Sequence, residues 1–401
     1  MAHTTDQVHE MQGLYGPFTL AERVVQKIWL RQDFETHALR LADGRRLEIQ
    51  RAGAWNLLAG PDFRGARLRI DGREVAGDVE VHFRAGDWRA HGHDRDPAYD
   101  NVVLHVVMFP PSELHMTARS RRGEPLPTLV LLPWLNRGLE EYASDDALEN
   151  LTARDAAEKL AGLAVLPTDE LRECLLQRAR QRWEQKVRFA GLRVAKLGWT
   201  AAAHHTALEI LGYRHNRAPM LAVAARYPLA EWGTGLAPDE VYRELGDAWQ
   251  TQGVRPANHP LRRLRQYAAL SAQIPDWPQR AMTLWEQAVM IGDPATVAEN
   301  RKALKHAEVR DRISTTLMAD TVGGTRLDNL VCDGLLPLLA AQKGRDLLPV
   351  WFSWFVGDVP AEVRQGLVSL GLAGAGAGPQ CHGWAQGLLG WILERNLHAS
   401  G

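Results

Sequence analysis

A mixed α/β domain followed by an all-helical one is the fold class this sequence predicts, and three patterns carry the prediction. Asp71-Gly72 joins two runs of alternating apolar and polar residues, the strongest short-range hairpin signal. Val102 to Phe109 is almost continuously apolar, as expected of a central strand buried on both faces. Beyond Pro133 the apolar residues recur at helical spacing. The 401 residues exceed what a single core usually serves, so two domains are expected, residues 1–140 and 141–401.

In chain order, Thr19 followed by Glu22 reads as a capping box opening a helix from Leu20 to Gln32, with Val24, Val25, Ile28 and Trp29 as its apolar stripe. Leu39–Leu41 and Arg46–Ile49 flank Ala42-Asp43-Gly44 as a first hairpin. Ala66–Ile70 and Glu74–Phe83 form the main hairpin, and Thr128–Leu132 adds another strand to a mixed sheet with flanking helices. Amphipathic stretches then run near Leu171–Leu197, Ala201–Leu211, Pro238–Trp249, Leu261–Ala272, Pro278–Ile291, Pro294–Ile313 and Leu330–Ala341. No fixed-period repeat stands out, and residues 371–378 read as a glycine-alanine turn.

Chemistry concentrates on the main hairpin. Alternation along its second strand puts Val75, Val79, Val81 and Phe83 on one face and Asp78, Glu80 and His82 on the other. Asp62, in Gly60-Pro61-Asp62-Phe63, precedes the first strand. Asp62 and Glu80 are the type and number of ligands with which proteins hold Mg²⁺, water and substrate phosphate filling its other positions. The register raises a conflict. A two-residue turn at Asp71-Gly72 places Asp62 opposite Val81, on the apolar side. A bulge at Gly65 or Gly77, or a bend at Gly60-Pro61, is therefore predicted, turning Asp62 toward Glu80.

With Pro61-Asp62 and Glu80-Val81-His82 in this order and spacing, the region resembles the PD-(D/E)XK nuclease superfamily. The resemblance implies a restriction endonuclease-like fold, Mg²⁺ or Mn²⁺ as cofactor, Asp62 and Glu80 as metal ligands with the Val81 carbonyl, and Glu22 as a further acidic ligand from the first helix. His82 stands where that superfamily usually has lysine, and is open to the roles of base, cation or ligand. Most of the chain also resembles a bacterial domain-of-unknown-function family. That resemblance runs through Trp55-Asn56, Gly77–His82, Asp87-Trp88, His91-Gly92-His93, Ala98-Tyr99 and Val103–Val107, then Leu211–Tyr213, Asn216 and Arg255–Asn258 with Pro260. Relatives tend to carry several cysteines near the C-terminus, where this chain keeps only Cys381.

Two other constellations compete for attention. His91, His93, Asp94, Asp96, Asp100 and His105 lie close in sequence. His91-Gly92-His93-Asp94 lacks the Asp-His pair of binuclear zinc hydrolases, but a Zn²⁺ site of His82, His91, His93 and Asp96 is an alternative reading. His105 reads as a core histidine, and Asp78 as solvated. The helix over Gln177–Lys196 carries Arg178, Arg182 and Lys186 among seven cations with one acid, and Arg262, Arg263 and Arg265 form a second basic cluster. Both are candidate phosphate-backbone contacts.

The remaining composition bounds the function. With 47 basic and 48 acidic residues the net charge is −1, so nucleic acid would have to meet a local basic surface. Cys174, Cys332 and Cys381 match neither a zinc spacing nor a disulfide framework, which fits a cytoplasmic protein. Neither a signal-like N-terminus nor a membrane-length apolar run is present in the sequence. The expected function is metal-dependent phosphodiester hydrolysis, with DNA as the expected partner. A non-catalytic binding module on a degenerate nuclease fold is the alternative from another class.

Overall fold

A computed structural model describes residues 22–36, 38–56, 59–110, 118–135, 139, 142–143, 145–146, 153–213, 216–251, 254–284, 297–374 and 378–398. Thr19, Leu20, His215, residues 285–296 and residues 375–377, on which parts of the sequence reading fell, lie outside them. The chain divides into two compact units, Met1–Ala143 and Ser144–Ala399.

The first unit is a mixed α/β fold. Its elements are α1 (Glu22–Arg31), β1 (Leu47–Arg51), β2 (Ala54–Trp55), β3 (Phe63–Ile70), β4 (Arg73–His82), α2 (Asp87–Ala90), β5 (Val102–Val107) and β6 (Thr128–Val130). The sheet runs β1-β3-β4-β5-β6, with β2 also paired to β3. The β1, β3 and β4 strands form an antiparallel meander, whereas β5 lies parallel to β4 and β6 parallel to β5. Interior placement between two parallel neighbours explains the unbroken apolar character of β5. Val25, Ile28 and Trp29 of α1 pack into one core with Phe63, Leu68, Val79, Val81, Leu104 and Val106. A smaller cluster contains Trp88, Val102 and Ala118, with Tyr99 and Leu126 against it.

The hairpin turn has Asp71 and Gly72 at φ of +47° and +82°, the double left-handed conformation that suits strand twist. Pairing is regular from Ile70↔Arg73 to Ala66↔Gly77, then shifts so that Phe63 faces Val79. One extra residue is therefore accommodated on β3. Gly65 sits there at φ +68°, and its N–H donates to Asp78 Oδ1 at 3.0 Å. Phe63 and Ala66, three apart, both turn inward and are fully buried. Asp62, next to Phe63, consequently leaves the apolar side. The predicted change of phase thus occurs at Gly65. Gly77 answers a different demand: a Cβ there would lie 2.4 Å from Val103 Cγ1 and 2.6 Å from the Asn101 carbonyl oxygen.

All regular elements described in the second unit are helical, the longest being Thr168–Leu197. The stretch expected as one helix near 294–313 contains two, Val297–Ala303 and His306–Arg312, separated by Lys305 in the left-handed region at φ +50°. Leu330–Leu335 is π-helical before Leu336–Lys343 continues as α-helix. Pro337 accounts for this, because its ring would clash with the carbonyl four residues earlier in an α-turn and it offers no N–H. Among the described residues no helix is long and apolar enough to cross a membrane.

Gly65→Val tests the bulge. A β-branched residue there should cost at least about 1–2 kcal/mol for its left-handed backbone, lowering the denaturation midpoint of the full chain. An unchanged midpoint would mean that the bulge relaxes without penalty.

Candidate functional site

The bulge and the parallel β4–β5 pairing together assemble the site. With Phe63 opposite Val79, the next position outward sets Asp62 beside Glu80. The Asp62 N–H donates to Glu80 Oε2 at 3.0 Å, and the Val81 N–H donates to Asp62 Oδ2 at 3.0 Å. Gln26, on α1 four residues after Glu22, donates through Nε2 to Asp62 Oδ1 at 2.8 Å. The preceding turn is fixed by Asn56, whose Nδ2 donates to the Pro61 carbonyl at 2.9 Å while its N–H donates to the Asp62 carbonyl at 2.7 Å. Asp62 is thus oriented by two donors, and Glu80 is 5% exposed.

On β5, His105 lies in register with Glu80, which brings its ring to the same face. His82 Nδ1 is 2.9 Å from His105 Nε2, and His82 Nε2 is 3.2 Å from His91 Nδ1. Glu80 Oε1 lies 3.2 Å from His93 Nε2 and 3.5 Å from His82 Nε2. His93 stacks on Tyr99 with ring centroids 3.8 Å apart and meets Trp88 edge-on. His82 and His105 are fully buried, whereas His91 is exposed. His105, read from sequence as a core histidine, is buried but belongs to this network; its Nδ1 has no hydrogen-bond partner.

Charge in the site is unbalanced. Burial, then the neighbouring Glu80 carboxylate, lifts Asp62 to about 7. Burial, followed by Glu80 and Asp87, lifts Glu22 to about 7 as well. The described ion pairs of Glu80 are with imidazoles, not with lysine or arginine. Burial, reinforced by His105, His93 and His91, depresses His82 to about 2. His82 is therefore neutral near pH 7 and does not reproduce a fixed cation at the lysine position. Burial also pushes the Tyr99 hydroxyl up to about 12, helped by Glu80 and Asp62. A carboxylate set with this negative excess, with oxygen ligands on a rigid hairpin, fits a hard divalent cation. His82, His91 and His93 additionally offer ligand atoms that all lie within 4.8 Å of one another.

Other candidates have different duties. Asp96 is exposed and accepts the Ala98 N–H at 2.9 Å, capping a short turn. Asp78 accepts the bulge N–H of Gly65 rather than simply facing solvent. In the second unit Arg182 is 7% exposed and donates to Gln386 at 2.7 Å, while Lys186 pairs with Asp333 at 3.2 Å. Arg178 donates to Gln181. Two of the helix's cations meet acids from elsewhere in the unit, Lys186 with Asp333 and Arg193 with Glu209, while Arg180, Arg188 and Lys196 are exposed. Arg263 is buried and donates to Asn258 and Gln266, Arg265 pairs with Asp239, and Arg262 is exposed. Gln26 was not singled out in the sequence; its position one turn after Glu22, on the same helical face, was the available signal.

The raised carboxyls set the sign of a pH effect. Asp62 and Glu22 bind protons more tightly folded than unfolded, so their contribution is full below their ordinary range near pH 4 and is lost as pH rises through about 7. Buried histidines such as His82 and His105, whose basicity is depressed, act in the opposite sense below about pH 6.5 and do so in either protein, so chelator-treated wild type should lose stability across that interval relative to Asp62→Asn. An identical pH profile for both proteins would contradict the burial of a charged Asp62.

The comparisons with known proteins agree with one of the resemblances over residues 22–234, a span that leaves out its Arg255–Asn258 and Pro260 segment. No curated protein and no solved structure matches the chain. Residues 22–234 match the family described as "Protein of unknown function (DUF2851)". That span contains the whole acid and imidazole site, and the chain belongs to the DUF2851 family.

Proposed function

We propose that the first unit is a divalent-metal-dependent phosphodiesterase acting on nucleic acid, with DNA as substrate, on a restriction endonuclease-like core. The observation that carries the reading is the Gly65 register shift, which places Asp62 beside Glu80 on the non-core face of the hairpin. An antiparallel meander followed by a strand parallel to its last member is consistent with that core. The proposed ligands are Asp62 and Glu80, with Glu22 and the Val81 carbonyl as auxiliaries, and Mg²⁺ or Mn²⁺ as the ion. When bound, such an ion supplies Lewis-acid neutralisation of phosphate charge.

The chain's own residues then have distinct tasks. Gln26 and the Val81 N–H orient the Asp62 carboxylate, and His93 orients Glu80. His82, neutral and with both ring nitrogens near other imidazoles, aligns its neighbours rather than removing a proton from water. His91 is the exposed imidazole in contact with it, at the solvent edge of the site. In the second unit the exposed Arg262 is the proposed phosphate contact, whereas Arg182, Lys186 and Arg263 already have internal partners.

Plasmid and single-stranded DNA incubated with Mg²⁺ or Mn²⁺ test the proposal. Asp62→Asn and Glu80→Gln should each lower cleavage by more than the roughly 10–100-fold seen on losing an outer partner of a metal ligand. Cleavage by both variants equal to wild type would exclude this site as its source.

A further inference from the structure

We infer that His82, His91 and His93 form a distinct site for a borderline transition-metal ion of the Zn²⁺ type, adjoining the carboxylate pair. The inference rests on the spacing of ring nitrogens and holds whatever the substrate. Zn²⁺ bound at about 2.0–2.1 Å in tetrahedral geometry places neighbouring ligand atoms roughly 3.3–3.4 Å apart. His91 Nδ1 and His82 Nε2 are 3.2 Å apart, and one nitrogen from each of the three rings falls within a common 4.8 Å. Neutral imidazole favours Zn²⁺ and its neighbours over Mg²⁺, which takes oxygen ligands.

The surroundings are those of a supported site. His105 Nε2, 2.9 Å from His82 Nδ1, can accept the Nδ1 proton. That tautomer leaves the His82 Nε2 lone pair facing the trio, the arrangement by which an outer acceptor fixes a ligating imidazole. The ring of His93 is held between Tyr99 and Trp88. Glu80 Oε1 touches both His93 and His82, bringing one negative charge against the prospective cation. His91 completes the trio from a loop immediately after α2, at an exposed position through which an ion can enter. Asp96 takes no part.

Untagged full-length protein, stripped with chelator, should be titrated with Zn²⁺ and with Co²⁺, reading bound metal and the visible Co²⁺ absorption of a low-coordinate nitrogen site. Wild type should bind one equivalent in this site. His91→Ala and His93→Gln should each weaken binding by at least about tenfold, with circular dichroism unchanged for His91→Ala because that side chain is exposed. Asp62→Asn should keep Zn²⁺ while losing Mg²⁺-dependent cleavage, so this site and the phosphodiesterase reading fail separately. Absence of Zn²⁺ and Co²⁺ binding at micromolar concentrations in wild type, or wild-type affinity in both histidine variants, would overturn the inference.

Discussion

A single extra residue in β3 determines where the chemistry of this protein can occur. Asp62, Ala66, Leu68 and Ile70 have the same parity, so in an unbroken strand Asp62 would share their buried face. Burying a lone carboxylate there would cost several kcal/mol or drive it to protonate. A left-handed residue at Gly65 avoids that penalty, because glycine adopts the conformation without steric strain. The inequality decides the register: the bulge forms, Phe63 keeps its core position, and Asp62 meets Glu80.

What gathers on that face follows from two pairing modes. The antiparallel hairpin contributes Asp62, Glu80 and His82, while the parallel neighbour contributes His105 at the level of Glu80. The loop after α2 then folds His91 and His93 back over them. Carboxyls there are pushed up and His82 is pushed down, each mainly by burial. Such an environment disfavours every charged form in the absence of a counter-ion, and a bound dication relieves the acidic side of it. Oxygen and nitrogen donors adjoin through Glu80, whose Oε2 accepts the Asp62 N–H while its Oε1 lies against His82 and His93.

Much of the first unit was legible because its signals are local. Asp71-Gly72 fixed the hairpin, alternation separated Glu80 and His82 from Val79 and Val81, and the parity conflict at Asp62 demanded a bulge. Contacts without a local signature were not legible. His105 joins the network only through parallel pairing, and its apolar strand disguised it. Arg182 reads as a free surface cation, yet its partner Gln386 is 204 residues away. Lys186 likewise finds Asp333 on a π-helical segment whose unusual winding follows from Pro337. Charge along one helix cannot reveal the acids that neighbouring helices bring to it.

The placement of Asp62 can be read directly from the amide that touches it. Val81 N–H donates to Asp62 Oδ2 at 3.0 Å, so its proton resonance reports the ionisation of that carboxyl. In metal-free protein followed by heteronuclear NMR, the Val81 amide should titrate with a midpoint of about 7, the value to which burial and Glu80 raise Asp62, and the movement should vanish in Asp62→Asn. A Val81 resonance that stays fixed from acid to alkaline pH, or moves only in the ordinary aspartate range, would show Asp62 turned away from Glu80.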